Sequence, residues 1–225
     1  MSEIFYSIQG EGTNLGVPSV FLRLAVCNLS CSWCDTKYTW DWQHYEYNTE
    51  VKEMTIVDVL GQILRHDCKH LVITGGEPML QQDELAILLP SLKREGFEIE
   101  IETNGTILPI DPVAKNIDQW NLSPKIANSG NATDAREKPD VYAYFKNLPN
   151  SYFKYVVESN DDLQEILNLV AKYRLPARKV MLMPEAVTEE KLREKSAWLA
   201  EVCKNKGFRF TTRLQIILYG NKRAT

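Results

Sequence analysis

No apolar run in the chain approaches the ~18–20 residues that a bilayer-crossing helix needs. The opening Met1-Ser2-Glu3-Ile4 has no basic stretch followed by an apolar one. Together these absences lead us to expect a soluble cytosolic chain with no membrane partner. Positive charge is not in surplus either: 26 Lys and Arg against 30 Asp and Glu leave a net charge of -4. General nucleic-acid binders, which need a basic field to neutralise phosphates, are thereby excluded as a class, although a local basic pocket is allowed. Histidine is scarce, and His44, His66 and His70 lie in no motif, so none is assigned a role. Cysteine is scarce and odd in number, at five, with three crowded between Cys27 and Cys34. That is a poor disulfide framework but suits metal ligation in a reducing compartment. Repeats, low-complexity tracts and linkers are also missing, so residues 1–225 are expected to form one domain.

What is present is an alternation of strand and helix patterns. Pro18 to Cys27 reads as a strand with Leu22, Leu24 and Val26 on one face and Phe21, Arg23 and Ala25 on the other. Thr55 caps a helix whose apolar stripe is Val59, Leu60, Ile63 and Leu64. His70 to Thr74 is a short apolar strand, and residues 82–94 form a helix that Pro90 should kink or bound. Strands over 97–102, 120–122, 152–157 and 180–183, and helices near 161–174 and 189–206, continue the pattern, with Phe208 to Leu218 as a last strand. The aromatic stretch 37–53 reads as a loop packed over something, and Ala127 to Lys138 as the flexible loop of the chain. Repeated strand, loop, helix units predict a parallel sheet with right-handed crossovers, an α/β fold that is either open or a full or partial barrel. Polar clusters end four successive strands: Cys27 onward, Thr74 to Glu77, Glu102 to Gly105 and Ser123 to Lys125. The carboxyl rim is where such sheets place their sites.

The chemistry centres on Cys27-x3-Cys31-x2-Cys34, followed at once by Asp35 and Thr36. Three thiolates in one short loop can hold three irons of a cubane cluster and leave the fourth open. Zinc is the rival, and redox thiols a third reading. Structural zinc wants four closed ligands, and the fourth would have to be His44 or Cys68, the latter in a predicted helix. Arg23 in its apolar strand either snorkels, pairs with a structural partner, or meets an anion with its planar fork. Gly10-Glu11-Gly12 is either a plain surface turn or a close backbone approach to a ligand. Lys154, between Phe153 and Tyr155, is read as a snorkelling lysine rather than a barrel-interior charge. Glu98 and Glu100 are read as solvated or paired, and Cys68 and Cys203 as buried thiols.

These residues carry a resemblance. The three-cysteine spacing, with Trp33 before the last cysteine, resembles the signature of radical S-adenosylmethionine (SAM) enzymes, and Thr74-Gly75-Gly76-Glu77-Pro78 resembles their glycine-rich cofactor motif. Ile8-Gln9-Gly10-Glu11-Gly12, Cys34-Asp35-Thr36, Glu102-Thr103-Asn104-Gly105, Ser123-Pro124-Lys125 and the tail Gly220-Asn221-Lys222-Arg223 are together similar to the 7-carboxy-7-deazaguanine synthase family. The resemblance implies a partial (β/α) TIM-like barrel of about six parallel strands, a [4Fe-4S] cluster, SAM and Mg2+. It implies a lyase that turns 6-carboxy-5,6,7,8-tetrahydropterin into 7-carboxy-7-deazaguanine with loss of ammonia, on the way to queuosine precursors, with the radical generated by the cofactor and no catalytic side chain. Cys27, Cys31 and Cys34 would hold the cluster. Trp33, Asp35, Gly76, Glu77, Glu102, Ser123, Pro124 and Lys125 would meet SAM. Ile8, Gln9, Gly10, Glu11, Arg23, Thr74 and Gln215 would meet the pterin, with Arg23 on its carboxylate. Thr36 would bind Mg2+ shared with that carboxylate; the other reading of Thr36 is a helix cap. Two departures stand out: Met181-Leu182-Met183-Pro184 replaces the family's Gln-Pro-Met, and Gln215 stands where relatives carry a histidine. A homodimer and a one-electron donor such as flavodoxin or ferredoxin are implied partners. A glycyl-radical-enzyme activating protein and a non-enzymatic zinc-binding module are the alternatives.

Overall fold

The computed structural model of the chain describes residues 1–220 and 222–225, so Asn221 of the family-like tail lies outside the described residues. One mixed sheet organises everything, with its strands in chain order: β1 (Glu3–Ile8), β2 (Pro18–Leu24), β3 (His70–Gly75), β4 (Glu98–Thr103), β5 (Gln119–Leu122), β6 (Ser151–Val157), β7 (Val180–Pro184) and β8 (Arg209–Phe210). β1 is antiparallel to β2 and every later pairing is parallel. The expected six parallel strands are β2 to β7, and β8 adds a two-residue seventh.

Alternation along each strand decides which face is which. Val20 and Leu22 of β2, Leu71 and Ile73 of β3, Ile99 and Ile101 of β4, Trp120 and Leu122 of β5, and Phe153 and Tyr155 of β6 point into one apolar core. That core is completed by helix residues such as Ile63, Leu85, Leu89 and Ile166. The alternate residues face the cavity side. Along it come Arg23, Thr74, Glu102 and Lys154, so the sheet carries its polar groups on the inner wall. Register sets Arg23 beside Thr74, and Glu102 beside Asn121.

β1 has no counterpart in the sequence expectation, and two expected elements run differently. The helix Gln82–Arg94 runs through Pro90, which sits exposed on its outer side. Phe208 to Leu218 is not one strand: β7 pairs with β8 only at Met181 and Leu182, and the chain then forms the helix Leu214–Tyr219. The alternation of Leu214-Gln215-Ile216 loses to tertiary contacts, because Arg213 turns inward to two carboxylates and the Leu214 amide donates to the Gly10 carbonyl at 2.9 Å. Gly12 N also donates to Thr211 Oγ1 at 2.9 Å, so the tail packs against the loop after β1 and not against another strand. Cys68 falls beyond the helix Ile56–Ile63, half-buried, with its thiol 3.2 Å from the Pro18 carbonyl.

Candidate active site

The loop from Val26 to Thr36 leaves the carboxyl end of β2 and lies over the rim. Val26 takes φ +75°, a conformation a β-branched residue adopts only at a cost of about 1–3 kcal/mol. It is held there from two sides. Its amide donates to the Thr39 carbonyl at 2.6 Å, and its carbonyl accepts from Glu77 N at 2.8 Å. The glycines after β3 make the approach possible: a Cβ on Gly76 would lie 2.0 Å from the Val26 carbonyl oxygen, and one on Gly75 2.1 Å from that of Leu24.

Each cysteine sulfur meets an N–H group. Asn131 Nδ2 lies 3.3 Å from Cys31 Sγ, Trp40 Nε1 3.3 Å from Cys34 Sγ, and Asn104 Nδ2 3.9 Å from Cys27 Sγ. Burial pushes the Cys27 thiol up to about 11 and raises Cys31, while the Lys125 ammonium pulls both down. Buried thiols supplied with N–H donors and a nearby cation are suited to ligation, because a metal deprotonates a coordinating thiol outright. Among the described residues no three His, Cys, Asp or Glu side chains converge on a single ion, so a mononuclear zinc lacks its closed donor set. A cubane spreads three cysteines over three irons, and the loop fits that group.

The segment 127–138, expected to be flexible, clamps this loop. Ser32 N donates to the Ser129 carbonyl at 3.0 Å, Ser30 N to Asn131 Oδ1 at 3.0 Å and Trp33 Nε1 to Asn128 Oδ1 at 3.2 Å. The aromatic stretch covers the other side through Trp40. Thr36 precedes the turn Lys37–Thr39, yet its hydroxyl makes no capping bond and stays on the cavity wall.

One cavity gathers the predicted residues. Its lining includes Cys27, Cys31, Trp33, Cys34, Asp35 and Thr36 from the loop, and Gly76, Glu102, Ser123 and Lys125 from the rim. Ile8, Gln9, Gly10, Glu11, Arg23, Thr74 and Gln215 also line it, together with Lys154 and Arg213. Glu77 and Pro124 stand outside the lining. Glu77 is fully buried, accepting from Met79 N (2.9 Å), Thr103 Oγ1 (2.6 Å) and Asn104 N (2.6 Å). It ties the loops after β3 and β4 together and has no face left for a ligand.

Arg23 reaches Glu3 through Nε alone, at 3.2 Å, and among the described residues its two terminal nitrogens bond no protein atom. Lys125 donates to Ser123 Oγ at 2.9 Å and lies 5.3 Å over the Trp33 ring. Lys154 does not snorkel. It is buried in β6 and paired with the Glu11 carboxylate, which also holds Arg213 at 3.2 Å and Gln215 Nε2 at 2.8 Å. Burial opposes the charge on both partners, but the pairing outweighs it: Glu11 falls to about 2 and Lys154 rises well above the lysine range. Arg213 continues to Asp35, joining the segment after β1 to the cysteine loop. Sequence reading missed Arg213, Asn131, Asn128 and Trp40, which carry no spacing signal; for Lys154 the signal was a charge inside a strand buried on both faces.

A three-thiol loop at the carboxyl rim of a parallel α/β sheet, beside a Gly-Gly-Glu-Pro turn, is the architecture of a radical SAM enzyme, and the Radical SAM superfamily model matches residues 23–129. The chain is 37% identical to the 7-carboxy-7-deazaguanine synthase of Pyrobaculum aerophilum, over 98% of this chain and 95% of that one. It is 34% identical to the enzyme of that name from Rhodopirellula baltica, over 100% of this chain and 88% of the other. It also resembles the crystal structure of QueE from Escherichia coli, with a TM-score of 0.68 and 27% identity over 95% of this chain and 92% of that one. The chain belongs to the 7-carboxy-7-deazaguanine synthase family, and with it come a [4Fe-4S] cluster and SAM.

Proposed function

We propose that the chain, acting as one radical SAM domain over residues 1–225, converts 6-carboxy-5,6,7,8-tetrahydropterin to 7-carboxy-7-deazaguanine with loss of ammonia. When bound, the cluster and SAM supply the 5'-deoxyadenosyl radical that takes hydrogen from the pterin. The observation that carries the reading is Arg23: a guanidinium on the cavity wall, oriented by Glu3 through Nε, leaves its outer edge free for a carboxylate. Thr74 is its neighbour on β3, and Gln9 and Glu102, the latter placed among the cofactor contacts from the sequence, line the same cavity. Gln215 lines the cavity in place of the family's histidine, with its Nε2 committed to Glu11 and its Oε1 buried against Gly10. Cys27, Cys31 and Cys34 would hold the cluster. Trp33, Asp35, Gly76, Ser123 and Lys125 line the side nearest it and would orient SAM. The Thr36 hydroxyl makes no capping bond and lies 3.5 Å from Cys34 Sγ, and it would keep a lone pair for Mg2+, shared with the substrate carboxylate and waters. The family resemblance adds a homodimer and a flavodoxin- or ferredoxin-type donor.

Anaerobically reconstituted protein given the carboxypterin, SAM, reductant and Mg2+ should form the deazaguanine acid, detected by mass; no product sinks the reading. Arg23→Ala should keep the cluster and cofactor cleavage but lower kcat/KM for the pterin on the order of 100-fold, as expected when one partner of a buried charged pair is lost. Full turnover by that variant would remove Arg23 from the carboxylate.

A further inference from the structure

Behind the wall formed by Gln9 and Glu102 lies a second carboxylate. Glu100 precedes Glu102 by two residues on the inward face of β4 and is 0% exposed. Three primary amides surround it. Gln9 Nε2 and Asn121 Nδ2 each donate to its Oε1 at 2.6 Å, and Asn14 Nδ2 donates to its Oε2 at 2.5 Å. Donors alone meet it, which suits the ionised form. Against them act burial first and then the Glu102 charge, and together these hold the Glu100 carboxyl up at about 7.

The charged and titratable groups facing it are Glu102 on its own strand, Lys154 on β6 and His70 on β3. His70 is the near neighbour, with Nε2 3.8 Å from Oε2. Burial favours its neutral form. Ser19 Oγ donates to the Val17 carbonyl at 2.9 Å, so it accepts from His70 Nδ1 at 2.8 Å. His70 Nε2 then accepts the second Asn14 N–H at 3.2 Å.

The consequence falls on Gln9. Its Nε2 is shared between Glu100 and Glu102, the latter at 3.3 Å, while its Oε1 accepts from Glu11 N at 3.1 Å. Both ends of the amide are therefore committed, and the commitment depends on an acceptor that no ligand can reach. We propose that Glu100 is a positioning residue for the pterin pocket, fixing the orientation of the Gln9 amide and linking it to Glu102 on the cavity wall. This rests on the pterin reading above. Protonating Glu100 places an O–H among amide donors, breaks one bond of the cage and frees Gln9 to turn. Substrate affinity should therefore rise as Glu100 ionises, with no effect on the cluster or on SAM.

The test uses reconstituted holoenzyme and the carboxypterin between pH 6 and 8. Wild type should show a pterin KM that falls as pH rises through about 7. Glu100→Gln, isosteric but carrying its own N–H2 donor, should raise KM about tenfold, the loss of one hydrogen bond. Its KM should also lose that pH dependence, while iron content and uncoupled 5'-deoxyadenosine release stay at wild-type levels. A variant with wild-type KM and pH profile overturns the proposal, as does one that loses only thermal stability. If Glu100→Gln fails to load its cluster, Asn14→Ala decides: losing one donor to the carboxylate should move the wild-type inflection to higher pH, and an unmoved inflection overturns the assignment. A wild-type enzyme that forms no product from the pterin is the separate result that removes the functional reading itself.

Discussion

At the scale of single residues, the site is built from charges that are buried and answered. Glu11 meets Lys154, Arg213 and Gln215, and Arg213 goes on to Asp35 and to the Ala186 carbonyl at 2.7 Å. Removing one member leaves its partners buried with less compensation, and such losses run to about 3–5 kcal/mol. Lys154→Met keeps the aliphatic volume of β6 and removes the ammonium. Its urea midpoint should drop by the equivalent of about 3 kcal/mol, and a drop under ~1 kcal/mol would show that Arg213 alone satisfies Glu11. The cysteines follow the same logic from the opposite side, since burial disfavours the Cys27 thiolate while Asn104, Asn131 and Trp40 stand ready to stabilise sulfur charge.

At the scale of elements, the decisive contact is between the ends of β2 and β3. The turn after β3 passes so close to Val26 that a Cβ at Gly76 has no room, and the same contact helps to keep Val26 at positive φ. Gly76→Ala must push the cysteine loop outward. We expect about 1–3 kcal/mol of destabilisation from overpacking, read by thermal denaturation of the metal-free chain, together with a substoichiometric iron content after reconstitution. Wild-type iron with an unchanged midpoint would mean that the loop moves freely. The clamp from residues 127–131 acts on the other flank, so the loop is gripped by three elements distant in sequence.

At the scale of the whole molecule, two buried carboxyls on the inner wall give stability opposite dependences on pH. Glu11 is lowered to about 2, so its contribution is present above its unfolded value of 4.5 and is lost as pH falls toward 2. Glu100 is raised to about 7, so its contribution is complete below 4.5 and is lost as pH rises through 7. Each shift corresponds to on the order of 3 kcal/mol. Chemical denaturation of the metal-free chain should therefore show wild type losing stability relative to Glu100→Gln between pH 5 and 7.5, and Lys154→Met should flatten the acid limb. Parallel curves for wild type and Glu100→Gln would contradict a raised Glu100.

Much of this is legible in the sequence alone. The strand and helix periods predicted β2 to β7 and the long helices, because one-sided burial imposes alternation of two along strands and 3.6 along helices. The motifs placed the cysteine loop, the Gly-Gly turn and the Glu102, Ser123 and Lys125 positions on one rim, where the structure brings them around one cavity. Side-chain partners were not legible. Whether Lys154 snorkels or pairs depends on Glu11, 143 residues away, and whether Glu77 meets a ligand or braces two loops depends on Thr103 and Asn104. The Phe208 to Leu218 stretch was misread for the same reason, since its alternation suits a strand while the Gly10 carbonyl and the Glu11 and Asp35 carboxylates draw it into a turn and helix. The sequence by itself determined the fold class, the cysteine loop and the rim that carries it, through local propensity and period. Only the tertiary structure decided which buried charges answer one another, because burial and pairing are properties of the packed chain and local pattern does not encode them.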